Sequence, residues 1–270
     1  MKKILEKSPL RYPGGKSRGF YRILQHIPLD IKEFREPFVG GGSVFLGFKQ
    51  VYTSPVRYWI NDLNYDLYCF WKTVGGKAEE LVDAIASLRS GYSDGKELYA
   101  HFKNYSSVST EFDRAVRFFI LNRITFSGTV ESGGYSQSAF ETRFTQSSID
   151  RLRRISPQLS GVQVTHGDYE RLLFEPGKDV FLFLDPPYLK AVKSKLYGVR
   201  GDLHTSFDHE RFAKNLRKCD RRWLVTYDDS PKIRDLFGFA KIIEWDLQYG
   251  MNNYKQGSAA KGKELFIKNY

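Results

Sequence analysis

The spacing of apolar side chains divides the chain into three stretches of different texture. In the first, Phe20, Ile23, Leu24 and Ile27 recur at helical spacing and stop at Pro28. A strand-like segment then enters Phe34-Arg35-Glu36-Pro37-Phe38-Val39, meets Gly40-Gly41-Gly42, and resumes as a helix start at Ser43-Val44-Phe45-Leu46. Val56-Arg57-Tyr58-Trp59-Ile60 reads as a second strand, ending at Asn61-Asp62-Leu63-Asn64. Strand, glycine turn, helix, strand and a closing acid make half of a nucleotide-type βαβ unit.

The middle stretch, residues 66 to 121, carries amphipathic patterns through Leu81, Ile85 and Leu88, and again through Phe112, Val116, Phe119 and Ile120. These predict helices. Residues 125 to 147 are polar and rich in Gly and Ser, which predicts a loop or hairpin with little core of its own. Strand patterns return at Val162-Gln163-Val164 (ending at Gly167-Asp168), at Val180 to Leu184, at Arg222 to Tyr227, and at Lys241 to Leu247. The last segment, Glu264 to Tyr270, can return along residues 241 to 247 as an antiparallel hairpin. The expected fold class is α/β. Residues 1–66 and 160–270 form its sheet, and a mostly helical insertion over 67–159 carries a hairpin near 125–147.

Composition adds a partner. With 42 Lys and Arg against 31 Asp and Glu, the formal charge of +11 fits a polyanion, and 16% aromatic residues supply stacking faces. Cys69 and Cys219 are far apart and lack metal-type spacing, so a reducing, cytoplasmic setting is expected. No stretch approaches the roughly 18 apolar residues of a membrane span. The start, Met1-Lys2-Lys3-Ile4-Leu5-Glu6-Lys7, is too short and too charged for a signal peptide.

The chemistry concentrates in Asp185-Pro186-Pro187-Tyr188. The apolar run Val180-Phe181-Leu182-Phe183-Leu184 predicts a buried strand that two prolines terminate. A carboxylate, a proline carbonyl and an aromatic ring therefore emerge together at a strand C-terminus, where open α/β sheets bind ligands. That set suits a planar base with an exocyclic amine. In Glu36-Pro37-Phe38-Val39-Gly40-Gly41-Gly42-Ser43 the glycines let a ligand approach the backbone at a helix N-terminus. Asp62, about 20 residues on, can hold the ribose of a nucleoside-like cofactor. The pattern is not G-x-G-x-x-G, since Phe45 stands where its last glycine falls.

Other candidates carry less. Gly14-Gly15-Lys16-Ser17 looks like the end of a phosphate loop, but Leu10 stands where the earlier glycine belongs, which disfavours a nucleotide hydrolase. His204 and His209 are five apart, with Asp208 between them, which does not align ligands on one helix face; no metal is assigned. Arg200-Gly201-Asp202 is read as a chance adhesion tripeptide.

In combination and order these blocks resemble the Dam-type (α-class) DNA adenine-N6 methyltransferases. Arg11-Tyr12-Pro13-Gly14-Gly15-Lys16 is similar to the family's W-x-G-G-K block, with Tyr12 in place of Trp. Glu36 to Phe45 is similar to its first cofactor motif, Asn61-Asp62-Leu63-Asn64 to its ribose motif, and Asp185 to Tyr188 to its catalytic motif. Arg117-Phe118-Phe119-Ile120-Leu121-Asn122-Arg123 resembles R-F-x-x-L-N-R in the DNA-reading region.

The resemblance implies a Rossmann-like sheet and S-adenosylmethionine as methyl donor. It puts Tyr12 and Lys16 near the donor's amino-acid end, with Glu36, Pro37, Phe38, Gly40, Gly42 and Ser43 in the turn that approaches it. Asp62 is expected to bind the ribose, Asp168 to face the donor's adenine, and Asp185 to border both donor and base. The implied partners are duplex DNA and, if the chain is not a solitary modifier, a cognate restriction endonuclease.

A target base must leave the duplex to react. Arg117, Arg123 and Arg143 are candidates for phosphates or base edges, with Arg151, Arg153 and Arg154 adding charge, and Phe126 is a candidate wedge. Phe126-Ser127-Gly128 has Ser127 where enzymes reading GATC carry Asn, which argues against that target. Three rivals stay open from sequence: the N4 amine of cytosine, an RNA substrate, and a catalytically silent DNA binder.

Overall fold

The computed structural model describes residues 5–104, 108–189, 207–247 and 262–270. Its strands are β1 (Glu33–Glu36), β2 (Arg57–Asp62), β3 (Val162–His166), β4 (Val180–Leu184), β5 (Arg222–Asp228), β6 (Lys241–Leu247) and β7 (Gly262–Lys268). They form one seven-stranded sheet in the order β3-β2-β1-β4-β5-β7-β6. β1 to β5 are parallel, and β7 runs antiparallel between β5 and β6. Strand order reverses between β1 and β4, which pair directly, Phe34 with Phe181 and Arg35 with Leu182. A crevice opens beyond the C-terminal ends of two such strands, where the polypeptide leaves the sheet in opposite directions.

Helix α1 (Phe20–Leu24) precedes the sheet, and α2 (Ser43–Val51) follows β1. Between β2 and β3 lie α3 (Tyr65–Gly76), α4 (Ala78–Gly91), α5 (Gly95–Lys103), α6 (Glu111–Ile124), α7 (Gln137–Arg143) and α8 (Gln146–Ile155). After β3 come α9 (Glu170–Phe174), α10 (His209–Lys218) and α11 (Pro231–Leu236). The helices between β2 and β3 share a continuous core with one face of the sheet. Phe45, Phe70, Trp71, Phe118, Phe119 and Phe181 belong to that one buried cluster. The opposite face packs Trp59, Leu182, Phe212, Trp223 and Tyr227.

The hairpin expected near 125–147 is not what forms. Its strand pairing is one bridge, Thr125 with Tyr135, and helices α7 and α8 take over from Gln137. The reason is capping. The Ser136 hydroxyl accepts from the Ala139 amide at 3.2 Å, and Thr145 and Ser148 cap α8 reciprocally. Ala139, Phe140 and Phe144 are buried, so the segment contributes core as well.

Candidate active site

Three strand ends bring the predicted blocks to one edge of the sheet. β1 leads into Pro37 to Gly42, and α2 begins directly afterwards. Gly42 sits at φ +66° and Gly40 at φ +45°, left-handed conformations that allow this reversal. Glu36 is buried, and its Oε2 accepts the Phe45 amide in the first turn of α2 at 2.8 Å. A carboxylate there satisfies an orphan donor and complements the helix dipole. Burial raises the Glu36 carboxyl well above the ordinary carboxylate range, and the negative charges of Asp185 and Asp62 add to the rise.

Asp62 closes β2 and is held by the same turn. Its Oδ2 accepts the Gly40 amide at 3.0 Å and its Oδ1 accepts the Asn64 amide at 2.9 Å. Burial raises its pKa too, against those hydrogen bonds. The ring of Tyr12 lies over the glycine turn, because a Cβ at Gly40 would stand 2.8 Å from Tyr12 Cε1 and one at Gly41 2.8 Å from Tyr12 Cβ. Ser43 Oγ borders Gly15 from the start of α2. Phe38 stacks on Tyr169, ring centroids 5.3 Å apart, and Pro37 accepts from the Asn61 amide side chain through its carbonyl at 3.2 Å.

Asp185 leaves β4 beside this turn. Thr226 Oγ1, on neighbouring β5, donates to its Oδ1 at 2.7 Å. Lys16 Nζ sits 2.9 Å from Oδ1 and 3.0 Å from Oδ2, and it also donates to the Gly14 carbonyl at 2.9 Å. Lys16 is only 3% exposed, so its ammonium is taken out of water and neutralised by Asp185. The ammonium also lies 4.8 Å from the centre of the Tyr188 ring. Pro186 is buried, and the Leu189 amide donates to Asp228 Oδ1 at 3.1 Å, fastening the segment after Pro187 to β5.

Asp168 follows β3 at the same edge but is exposed. Its carboxylate binds the Arg211 guanidinium at 2.9 Å and accepts the Glu170 amide at 2.8 Å. Its side chain is committed to helix ends, apart from the cluster around Asp62. Asp208 caps α10, accepting the Arg211 amide at 2.8 Å, and His209 Nδ1 is 2.6 Å from the Tyr227 hydroxyl, so each has a structural partner. His204 and Arg200 to Asp202 lie outside the described residues.

The DNA-reading candidates separate into two groups. Arg117 is 1% exposed; its guanidinium lies 3.1 Å from Asp66 and 2.8 Å from Glu131, and donates to the Phe102 carbonyl at 2.8 Å. Arg123 is buried as well, donating to the Pro9 carbonyl and lying over the Phe119 ring. Burial lowers its pKa to about 9, with the positive charges of Arg151, Arg11 and Arg143 contributing. Both guanidinium groups are buried against partners within the protein. Arg153 and Arg154 are engaged in surface ion pairs with Glu79, Asp83, Asp150 and Glu6.

The second group is outward. Phe126 is 63% exposed at the tip of a short 3₁₀ turn, Phe126–Gly128, and Ser127 there adopts φ +55°. Arg143 is exposed at the end of α7. Its charge lowers the pKa of Arg11, after burial, so the two cations lie close together. Sequence reasoning missed Asn122, Thr226 and Glu264. Asn122 and Thr226 were inside quoted segments, but their partners are distant in sequence. Glu264 was placed only as part of a strand.

The edge thus joins a glycine turn, a carboxylate-rich wall, a lysine–carboxylate pair and an aromatic ring. A cation brought beside these buried carboxyls favours their ionisation, and the ring with Asp185 suits an amine-bearing base. The family model for the D12 class N6 adenine-specific DNA methyltransferases matches residues 12–251. A type II methyltransferase, M.MjaIII of Methanocaldococcus jannaschii, is 27% identical over 85% of this chain and 86% of its own length. The DNA adenine methylase of Haemophilus influenzae is 24% identical over 97% of this chain and 93% of its own. That of Escherichia coli K12 is 35% identical over 44% of this chain and 41% of its own. Among the described residues, no helix is long and apolar enough to cross a membrane, and no group of His, Cys, Asp and Glu could hold a metal ion. The chain belongs to the D12 class N6 adenine-specific DNA methyltransferases, and its reaction is methylation of adenine N6 in DNA.

Proposed function

We propose that the chain transfers the methyl group of S-adenosylmethionine to the N6 amine of one adenine per target site, after that base has left the duplex. The observation that carries this reading is the Asp185 carboxylate, held at the end of β4 by Thr226 and Lys16. The donor supplies an electrophilic methyl on a sulfonium. Glu36, Asp62 and Asp185 interact electrostatically, and burial raises the pKa of Glu36 and Asp62. A cationic ligand relieves that crowding, which supports a sulfonium donor. Asp62 and the Tyr12-covered turn hold its nucleoside and amino-acid ends in this reading, with Phe38 and Tyr169 forming an aromatic wall.

The adenine amine is a weak nucleophile because its lone pair is shared with the ring. Asp185 and the Pro186 carbonyl accept its two hydrogens, which favours a pyramidal nitrogen with its lone pair directed at the methyl. Positive charge growing on that nitrogen meets a carboxylate already in place, so little reorganisation is needed. Thr226 and Lys16 fix the carboxylate's rotation. Tyr188 gives the base a stacking face, Pro187 stiffens the turn between them, and Phe126 fills the gap in the duplex. Arg143 and the partly buried Arg11 supply phosphate contacts. Ser127 in place of Asn supports a target other than GATC. The relatives named type II methyltransferases support a restriction-modification setting, with a cognate endonuclease as partner.

The test is long-read sequencing for modified bases in DNA from a methylation-free host expressing the chain. The expected result is N6-methyladenine at one sequence motif, lost in Asp185→Ala while duplex binding by the purified variant persists. Full methylation by that variant would sink the mechanism.

A further inference from the structure

Glu264 is a buried acid at the catalytic edge that the reaction above does not use. Glu264 lies on β7, opposite Asp228 of β5 and Trp245 of β6. Directly opposed residues of an antiparallel pair share a face of the sheet, and so do residues two apart on one strand. Thr226, Asp228 and Glu264 therefore present to the same side. Thr226 holds Asp185, and Asp228 holds the Leu189 amide. Glu264 is the third member of this row, beneath the Asp185 to Tyr188 turn.

It is only 1% exposed, and neither carboxyl oxygen makes a hydrogen bond of ordinary geometry. The Tyr188 hydroxyl oxygen is buried in the same condition. The two groups nonetheless interact, and Thr226 also lies within range of that hydroxyl. Lys16, Asp185 and Asp228 are the other charged groups facing Glu264. A carboxyl and a phenol buried side by side, neither with a closed hydrogen bond, form a costly arrangement unless a small movement joins them. An apolar residue would serve packing at this position without that cost.

We propose that Glu264 is a positioning residue of the methyl-transfer site: its carboxyl group takes the Tyr188 hydroxyl and sets the tilt of the ring on which the target base stacks. This rests on the reading of Tyr188 as the stacking face. When a base enters against the ring, the phenol turns onto Glu264 and donates to it. The ring is then fixed at both ends, by the base on its face and by the carboxyl at its hydroxyl. Lys16, which lies over the same ring, offsets part of the negative charge of Asp185 felt by Glu264.

A double-mutant cycle tests this with Glu264→Leu, which removes the acceptor, and Tyr188→Phe, singly and together, on the purified full chain. Two readouts are taken: urea unfolding, and steady-state methylation of a duplex carrying the motif found by sequencing. Each single variant is expected to lose about tenfold in kcat, with KM for the donor unchanged, the size of one lost hydrogen bond. The double variant is expected to be no slower than the worse single variant, and the stability effects are expected to be non-additive as well.

Additive losses in kcat, or full activity in Glu264→Leu, overturn the proposal. Equal falls in donor affinity and kcat, with additive stability effects, assign Glu264 to the scaffold alone and also overturn it. A wild-type chain that methylates no DNA overturns the underlying reading instead; additive unfolding energies would then separately exclude the contact.

Discussion

Asn122 and Arg11 exchange two hydrogen bonds: the Arg11 amide donates to Asn122 Oδ1 at 2.9 Å, and Asn122 Nδ2 donates to the Arg11 carbonyl at 2.8 Å. The same Nδ2 donates to the Gly128 carbonyl at 3.0 Å. One buried side chain thus ties the segment before Tyr12 and Lys16 to the turn that exposes Phe126. Asn122→Leu leaves these backbone groups unpaired in the interior and is expected to lower stability by about 3 kcal/mol. Urea unfolding measures it. An unchanged midpoint would show that the turn does not depend on the amide.

The segment from Arg117 to Arg123 resembles a DNA-reading block, yet Arg117, Asn122 and Arg123 all point inward. Arg117 pairs with Glu131 and Asn122 with Gly128, on either side of Thr129 and just after the exposed Phe126. Arg117→Met removes the buried guanidinium that pairs with both Asp66 and Glu131. The expected cost is about 3 kcal/mol of stability, with the salt dependence of DNA binding unchanged. Arg143→Ala is the converse: melting stays within about 0.5 kcal/mol of wild type, while DNA affinity falls and the salt slope drops by about one. Titrations of both variants at several salt concentrations separate the roles, and a reduced slope in Arg117→Met would reverse this assignment.

The parts legible in sequence are those whose signal is local. The apolar run into Asp185 fixes β4 and its end, and the glycine turn with Asp62 fixes the first βαβ half. The antiparallel return of the last segment along residues 241 to 247 also forms. What the sequence did not show depends on partners brought from far along the chain. An arginine reads as surface until Asp66 and Glu131 are known to reach Arg117. Gly and Ser near residues 132–138 read as turn, although Ser136 is a helix cap. Glu264 reads as the polar start of the last strand. It is buried because β7 slots between β5 and β6, an order that pairing of the last two strands alone does not reveal.

Gly42 joins the cofactor turn to the core. Its φ of +66° is costly for a residue with a side chain, and a Cβ there would lie 2.7 Å from Trp71 Cζ2. Trp71 cannot yield easily, since it is fully buried and its Nε1 donates to the Gly40 carbonyl at 3.0 Å. Gly42→Ala is expected to cost about 2 kcal/mol of stability and to weaken S-adenosylmethionine binding about tenfold or more by shifting Gly40 away from Asp62. Calorimetric titration of the donor reads the second effect; wild-type affinity in this variant would mean the turn does not hold the donor.

Glu264 also makes stability depend on pH in a direction unusual for a carboxylate. Burial lifts its pKa from 4.5 to about 7, with the negative charges of Asp185 and Asp228 opposing its ionisation and Lys16 favouring it. Between those values the folded chain keeps a proton that the unfolded chain releases. The folded state then binds more protons than the unfolded one, so this contribution is fully present below pH 4.5 and is lost as pH rises through 7. The whole excursion is about 3 kcal/mol. Glu264→Gln carries no such proton. The difference in unfolding free energy between variant and wild type is therefore expected to move in the variant's favour from pH 5 to pH 8, and then to level off. Urea unfolding of both proteins across that range measures the difference. A difference that stays flat would place the Glu264 carboxyl in an environment where ionisation is not penalised.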